Sequence, residues 1–186
     1  PQAYWEWFAQ ENAREGVAPN DAHRFVADLE RAGKLSAVVT QNIDGLHQRA
    51  GSERVLELHG NWSRLTCTGC GERFTLDDVD GASSGEVPHC TACASVLRPD
   101  IVFYGEMLDS DVIEGAVRAI SEADLLIVAG TSLVVYPAAG LIDYYAGERL
   151  VLMNATPTPY DSRADLIIRE PVGQVFEELE RWSRRP

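Results

Sequence analysis

The sequence predicts an α/β protein in which a parallel sheet carries helices on both faces and a cysteine-rich segment interrupts the chain. Short apolar runs of the length of buried strands alternate with segments whose apolar residues recur at helical spacing, an order typical of parallel sheets. In addition, all four cysteines fall between positions 67 and 93. The chain has 186 residues, of which 45% are apolar, and this is enough for one domain with its own core.

The N-terminal part is predicted to form two helices and a buried strand. Residues 2–15 carry four aromatic side chains among polar ones, which indicates a helix that packs through an aromatic face. Pro19, Asn20 and Asp21 form a helix-start signal. The apolar residues that follow have helical spacing as far as Gly33, which is placed to end the helix. The run 36–40 then has the composition of a buried strand.

The C-terminal half alternates strands with helices. Its predicted strands are 101–104, 125–129, 150–153 and 165–168. Its predicted helices are 112–123, 137–146 and 173–182, and Pro137 suits the first turn of the second of these.

The cysteines form two C-x2-C pairs, Cys67 with Cys70 and Cys90 with Cys93. This spacing is typical of a four-cysteine zinc ribbon, because each tight knuckle aims two thiolates at one tetrahedral ion. Four protein ligands leave no open position on the metal, so we expect one structural Zn²⁺. The alternatives are two disulfides, thioredoxin-like redox chemistry, or replacement of one cysteine by His89. The intervening acidic segment 77–88 is predicted to be a solvated loop.

Charge and hydropathy exclude several classes of partner. The chain has 16 basic and 29 acidic residues, a formal charge of −13, which argues against direct binding of nucleic acid. No stretch approaches the ~20 apolar residues of a membrane span, so we expect no membrane partner. The first residues have neither an initiator Met nor the layout of a signal peptide. We therefore expect a cytoplasmic protein whose natural start could lie elsewhere.

Small and amide-bearing residues follow three of the predicted strands. In parallel α/β sheets, ligands bind beyond the carboxyl ends of the strands, so these positions predict a nucleotide site. A Gly-Thr-Ser turn can also be an ordinary turn, and neither a G-x-G-x-x-G fingerprint nor a P-loop is present. The residues concerned are Gln41, Asn42 and Asp44, then Gly130, Thr131 and Ser132, and finally Asn154 and Thr156.

Five segments in order resemble the sirtuin family of NAD-dependent protein lysine deacylases. They are TQNIDGLH at 40–47, ELHG at 57–60, the four cysteines, LRPDIVFYGE at 97–106 and GTSLVVYP at 130–137. The resemblance implies a Rossmann-type NAD-binding domain formed by residues 1–62 and 99–186. It also implies an inserted zinc-binding domain at 63–98, NAD as co-substrate, and acylated-lysine proteins or peptides as partners.

The resemblance assigns the chemistry to a histidine. In that reaction the acyl oxygen attacks C1′ of the nicotinamide ribose, and nicotinamide leaves. A histidine that matches His59 then acts as general base on a ribose hydroxyl, and the products are free lysine and O-acyl-ADP-ribose. A neutral imidazole suits this role at neutral pH. Taken without its neighbours, His59 could also be a turn histidine with a purely structural role.

The resemblance carries further positions over one at a time. Gln41, Asn42 and Asp44 match residues around the nicotinamide and its ribose. Gly130, Thr131 and Ser132 match phosphate and ribose contacts, Asn154 and Thr156 lie near the adenosine ribose, and Val172 matches a backbone contact to adenine. Val102 and Val135 would line the tunnel for the lysine stem, unless they are ordinary core valines. Gly105 and Glu106 would form one edge for the substrate backbone, and Leu133 and Val134 the other.

The resemblance also has a gap, because sirtuins usually begin with a strand and a Gly-Ala-Gly-Ile-Ser loop that this sequence lacks. We therefore expect several tens of residues to be absent from the N-terminal side. Two other functions stay open: a zinc-stabilised protein that binds NAD or ADP-ribose without catalysis, and a protein ADP-ribosyltransferase. The sequence leaves the protein substrate, the acyl preference and the oligomeric state undetermined.

Overall fold

The computed structural model describes residues 1–12 and 17–183, so positions 13–15 of the first predicted helix lie outside the described residues. The chain divides into two compact units. The first unit comprises Pro1–Ala18, Asn42–Gly45 and His59–Met107. The second comprises Pro19–Gln41, Leu46–Leu58 and Leu108–Pro186.

The α-helices are α1 (Gln2–Asn12), α2 (Asp21–Arg31), α3 (Leu46–Ala50), α4 (Ser110–Ser121) and α5 (Val172–Ser183). The strands are β1 (Val38–Thr40), β2 (Val55–Glu57), β3 (Gly60–Cys67), β4 (Arg73–Thr75), β5 (Leu97–Ile101), β6 (Leu126–Ala129), β7 (Leu150–Met153) and β8 (Leu166–Ile168). Among the described residues, 3₁₀ helices cover Leu76–Asp78, Ala82–Ser84, Ala138–Tyr144 and Asp161–Arg163.

The second unit is built on parallel strands. Strand β1 pairs with β2, and β6, β7 and β8 form a three-stranded parallel sheet in that order. Its core includes Leu152 of β7 and Ala116 of α4, which are 1% and 0% exposed. Because Leu126 and Val128 of β6 also pack against this cluster, one face of the sheet is closed by the core.

Helix α2 begins and ends where the sequence predicts. The side chain of Asn20 accepts a hydrogen bond from the backbone N–H of His23, 3.2 Å away, which satisfies an N–H that has no partner within the helix. Gly33 follows the helix with φ +67°, the left-handed conformation that glycine adopts at helix ends.

The first unit is an antiparallel sheet covered by aromatic side chains. Strand β3 lies between β4 and β5. Trp5 and Phe8 of α1 are almost completely buried, and they belong to one cluster with Leu65, Cys67 and Cys90. The predicted aromatic face of α1 is therefore the core of the cysteine-containing unit.

Three expectations about local structure are wrong. The strand predicted at 101–104 is β5, which lies earlier at Leu97–Ile101 and pairs antiparallel with β3. The helix predicted at 137–146 is a 3₁₀ helix over Ala138–Tyr144. The segment 77–88 is not simply a solvated loop, because Ala82 is fully buried and Gly85 approaches the backbone of α1.

No helix in the described part of the chain is both long enough and apolar enough to span a bilayer.

Candidate functional site

The four cysteine sulfurs are gathered around one point. All four Sγ atoms lie within 4.8 Å of one another. The Sγ atoms of Cys67 and Cys93 are 3.4 Å apart, and those of Cys70 and Cys90 are 3.7 Å apart. A Zn–S bond of about 2.3 Å gives tetrahedral S···S edges of about 3.8 Å. The donor set and its spacing therefore fit one tetrahedral zinc ion.

Hydrogen bonds to Cys67 and Cys93 support these two sulfurs as thiolates. The N–H groups of Gly69 and Cys70 both donate to Cys67 Sγ at 3.4 Å. Hydrogen bonds from the side chain and the backbone of Ser95 lower the pKa of the Cys93 thiol to about 6. A Cβ on Gly69 would lie 2.3 Å from Ser95 Oγ, so only glycine lets the two knuckles approach this closely.

His59 lies on the tight turn that connects β2 to β3. Its side chain is half-buried, and its carbonyl oxygen accepts a hydrogen bond from the N–H of Val102 at 2.9 Å. The next residue, Gly60, has φ +78°, and a Cβ there would lie 2.0 Å from the carbonyl oxygen of Asp100. The turn that presents His59 therefore depends on glycine at position 60.

Asn42 and Asp44 belong to the short segment Asn42–Gly45 of the first unit. The carbonyl oxygen of Ile43 accepts a hydrogen bond from the N–H of Trp62 at 3.2 Å, which ties this segment to β3. Gly45 has φ +66° and lies against the side chain of the buried Asn61. These contacts fix the backbone on both sides of Asp44.

In the second unit, the residues that follow β1 and β6 meet. Gln41 Nε2 lies 3.5 Å from Thr131 Oγ1, and the same hydroxyl accepts a hydrogen bond from the N–H of Leu133 at 3.2 Å. Gly130 has φ +65°, and its N–H donates to the carbonyl of Met153. Ser132 is exposed beside them. The structure thus brings together polar groups that the sequence placed at two strand ends.

A third strand end carries Asn154 and Thr156. Asn154 Nδ2 donates to the carbonyl oxygen of Thr156 at 2.9 Å, and it lies 3.2 Å from Thr156 Oγ1. Arg169 was not predicted from the sequence, yet its guanidinium donates to the carbonyl oxygens of both residues. A lone arginine after a strand gives no signal of such contacts. Val172 is half-buried at the first position of α5.

The residues assigned to substrate differ in exposure. Val134 and Val135 are 57% and 53% exposed, so Val135 is not a core valine, whereas Leu133 is buried with φ +54°. The Leu133 side chain therefore belongs to the core of the second unit. Val102 is half-buried.

Glu106, which follows Gly105 in the first unit, has two hydrogen-bond donors. Its carboxylate accepts from the Arg98 guanidinium and from the N–H of Phe103. These bonds, with that of Arg98 the stronger, hold the pKa of the Glu106 carboxyl below its usual range. Gly105 has φ +88° and open space where a Cβ would be.

The predicted site residues divide between the two units. The first unit holds the four cysteines together with His59, Asn42, Asp44, Val102, Gly105 and Glu106. The second holds Gln41, Gly130, Thr131, Ser132, Leu133, Val134, Val135, Asn154, Thr156 and Val172.

Comparison with known sequences gives consistent matches. The sequence profile of the Sir2 family matches residues 1–137. A protein of Clostridium acetobutylicum named NAD-dependent protein deacetylase is 49% identical over 176 residues, which cover 95% of this chain and 71% of the relative. A protein of Clostridium perfringens with the same name is 50% identical over 184 residues, covering 96% and 73%.

Solved structures agree with the sequences. A complex of a Sir2 homologue with NAD superimposes with a TM-score of 0.88 at 40% identity and covers 99% of this chain and 72% of the other. A structure of Sir2 with a p53 peptide and NAD⁺ has a TM-score of 0.83 at 42% identity and covers 94% and 76%. These similarities confirm the predicted α/β fold of Rossmann type.

Proposed function

The chain belongs to the Sir2 family, and from this premise we propose that it removes acetyl or other acyl groups from protein lysines with NAD as co-substrate. The observation that carries the proposal is that relatives 49% and 50% identical over 95% and 96% of this chain are named NAD-dependent protein deacetylases. Similar solved structures hold NAD⁺ and a p53 peptide, or an acetylated peptide. The products would be nicotinamide, O-acyl-ADP-ribose and free lysine.

We propose His59 as the general base. Its imidazole would accept the proton of a ribose hydroxyl, and the ribose oxygen would then attack the imidate carbon, which is the former acyl carbonyl carbon whose oxygen is bonded to C1′. Addition of water would then release the lysine. The half-buried position on a glycine-dependent turn supports this role, because such a turn holds the ring in one place.

We assign the NAD contacts to the polar strand ends. Gly130, Thr131 and Ser132 would contact phosphate and ribose, since this turn can offer backbone N–H groups and hydroxyls. Gln41, Asn42 and Asp44 would surround the nicotinamide and its ribose. The 3.5 Å approach of Gln41 to Thr131 supports a shared ligand for the two strand ends. Asn154, Thr156 and Val172 would contact the adenosine end.

We assign the acylated lysine to exposed positions and backbone edges. The exposure of Val134 and Val135 supports a role in binding, because neither side chain contributes to the core. Val102 and Val135 would line the lysine stem. The backbones of Gly105, Glu106, Leu133 and Val134 would pair with the substrate as an added strand, which predicts a loose sequence preference.

The cysteine cluster supports one structural zinc held by Cys67, Cys70, Cys90 and Cys93, which would contribute folding energy to the unit that contains it. We propose that residues 63–98 form the zinc-binding domain and that residues 1–62 and 99–186 form the NAD-binding domain. A cytoplasmic location suits this chemistry, because thiols stay reduced in the cytosol.

The test is nicotinamide release by the purified chain with NAD, with an acetyl-lysine peptide, and with both. We expect release that requires both reactants and falls by at least about 100-fold in His59→Ala, within the range for loss of a general base. The melting temperature and zinc content of His59→Ala serve as the control, since both should match the wild type if the loss is one of chemistry and not of folding. Release without the peptide, or normal release by His59→Ala, would contradict the proposal. Transfer of label from NAD to a protein would instead favour an ADP-ribosyltransferase.

A further inference from the structure

Arg169 connects the two segments that we assign to the adenosine end of NAD. It directly follows β8 and lies three positions before Val172 of α5. Its Nη1 donates to the carbonyl oxygens of Asn154 and Thr156, both at 2.9 Å. One guanidinium group therefore ties the connection between β8 and α5 to the loop that follows β7.

The other arm of the same guanidinium reaches further along this loop. Arg169 Nη2 forms an ion pair with Asp161. The Asp161 carboxylate in turn accepts hydrogen bonds from the N–H and the hydroxyl of Thr158, at 3.1 and 2.8 Å. Thr158 is buried, so the contact anchors the far end of the loop to the core of the second unit. Arg169 thus holds the loop at three points between positions 154 and 161.

These contacts fix the backbone of Asn154 and Thr156. Residues 155–157 are exposed and form no strand, so their order depends on side-chain bonds. A loop that is ordered before binding spares the ligand the entropic cost of ordering it. Loss of the guanidinium would leave two carbonyl oxygens without their charged hydrogen-bond donor. The free energy of such hydrogen bonds is large enough for their loss to weaken ligand binding measurably.

We propose that Arg169 is a positioning residue that sets the affinity for the adenosine half of NAD without contacting the reacting atoms. This inference rests on the proposed function, because it gives the loop the ligand named there. Its consequence is a separation of effects: substitution of Arg169 raises KM for NAD, and kcat and KM for the peptide stay unchanged.

Arg163 offers a matched control in the same loop. It also forms an ion pair with an aspartate, Asp143, and its guanidinium lies 5.5 Å from the centre of the Tyr160 ring. The Arg163 guanidinium donates its hydrogen bond to that carboxylate rather than to the carbonyl oxygens of Asn154 and Thr156. Substitution of Arg163 therefore removes a guanidinium group and an ion pair from the same loop but leaves the candidate adenosine contacts in place.

The experiment compares Arg169→Met, Arg169→Lys and Arg163→Met by steady-state kinetics with NAD and an acetyl-lysine peptide. We expect Arg169→Met to raise KM for NAD about tenfold, as for loss of a charged hydrogen bond, with kcat within about twofold. Arg169→Lys should fall between the wild type and Arg169→Met, because a lysine keeps the ion pair with Asp161 but lacks the planar fork. Arg163→Met should keep the wild-type KM. Titration calorimetry with ADP-ribose should give the same order of dissociation constants.

Several results would overturn the inference. An unchanged KM for NAD in Arg169→Met, an equal rise in Arg163→Met, or a fall confined to kcat would each do so. If Arg169→Met does not fold, an unchanged KM in Arg169→Lys has the same meaning. Wild-type protein that binds ADP-ribose but shows no turnover would contradict the proposed function. The order of the dissociation constants for ADP-ribose among the variants would still test the role of Arg169. Wild-type protein that neither binds ADP-ribose nor shows turnover would contradict both the proposed function and the role of Arg169.

Discussion

Gly60 and Asp100 approach so closely that a Cβ on Gly60 would lie 2.0 Å from the Asp100 carbonyl oxygen. Gly60 also has φ +78°, a conformation that side-chain-bearing residues rarely adopt. Strand β3 therefore begins beside β5 with no room for a side chain, and His59 is the residue immediately before that contact. The position of the candidate base is set by backbone packing.

Substitution Gly60→Ala should destabilise the chain by at least ~2 kcal/mol, because it adds backbone strain to a direct overlap with Asp100. Urea unfolding measures the loss. Gly33→Ala is the control, since Gly33 has a similar φ of +67° and open space at its Cβ. It should cost only about 1–2 kcal/mol, the strain of a left-handed residue. Equal losses in the two variants would show that the contact with Asp100 has no effect.

Removal of zinc should unfold the first unit. Cys67 and Cys90 lie in one buried cluster with Trp5, so loss of the metal opens the environment of that tryptophan. Three of the four tryptophans, Trp5, Trp7 and Trp62, belong to this unit. A chelator should therefore shift tryptophan emission to the red, and added Zn²⁺ should restore it. Unchanged emission after the metal has been shown to be removed would contradict a structural role.

The hydrogen-bonded Asp161 carboxylate should make the stability of the fold depend on acid pH. Hydrogen bonds from the Thr158 side chain and backbone, with the Arg169 ion pair beside them, hold the pKa of the Asp161 carboxyl below its usual range. A carboxyl whose pKa is lower in the folded state contributes stability above its unfolded pKa of about 3.9. This contribution is lost as the pH falls through the folded pKa.

The stability difference between wild type and Asp161→Asn should therefore be constant from pH 7 to about 5 and should shrink below about 4. Melting temperatures of both proteins across this range measure it. Asp80→Asn, at an exposed position of the first unit, serves as the control and should differ little from wild type at any pH. A difference that grows as the pH falls would have the wrong sign for this mechanism.

Val135 should matter for the substrate and hardly at all for stability. Its side chain is 53% exposed, so Val135→Ala should change the free energy of unfolding by no more than about 0.5 kcal/mol. Leu152→Ala is the contrast, since Leu152 is 1% exposed and its truncation should cost ~2–5 kcal/mol. KM for the acetyl-lysine peptide should rise in Val135→Ala. A large loss of stability in Val135→Ala with an unchanged KM for the peptide would show that Val135 has a structural role and does not bind the substrate.

Local signals account for the parts of the fold that the sequence predicted. Asn20 caps α2 through its own side chain, and β7 is a compact apolar run, so neither depends on distant residues. The cysteine spacing likewise encodes the two knuckles directly. These features were predictable because their physical cause lies within a few residues.

The remaining features depend on contacts distant in sequence. Strand β3 carries exposed polar residues and is held by β4 and β5, so no local pattern predicted it. Ala82 is buried because α1 covers it, although the residues next to it in sequence have the composition of a polar loop. Arg169 acts through carbonyl oxygens, which every residue carries, and its role could not be found without coordinates.

Strands β6 and β8 form the outer edges of the second unit's three-stranded sheet among the described residues, and each exposes a large aliphatic side chain, Ile127 and Leu166. Exposed aliphatic side chains favour the pairing of one molecule with another. Mutual repulsion from a formal charge of −13 opposes such pairing at neutral pH. Near pH 4.6, where the net charge vanishes, that repulsion is gone. The colloidal stability of this protein therefore rests on its acidic surface.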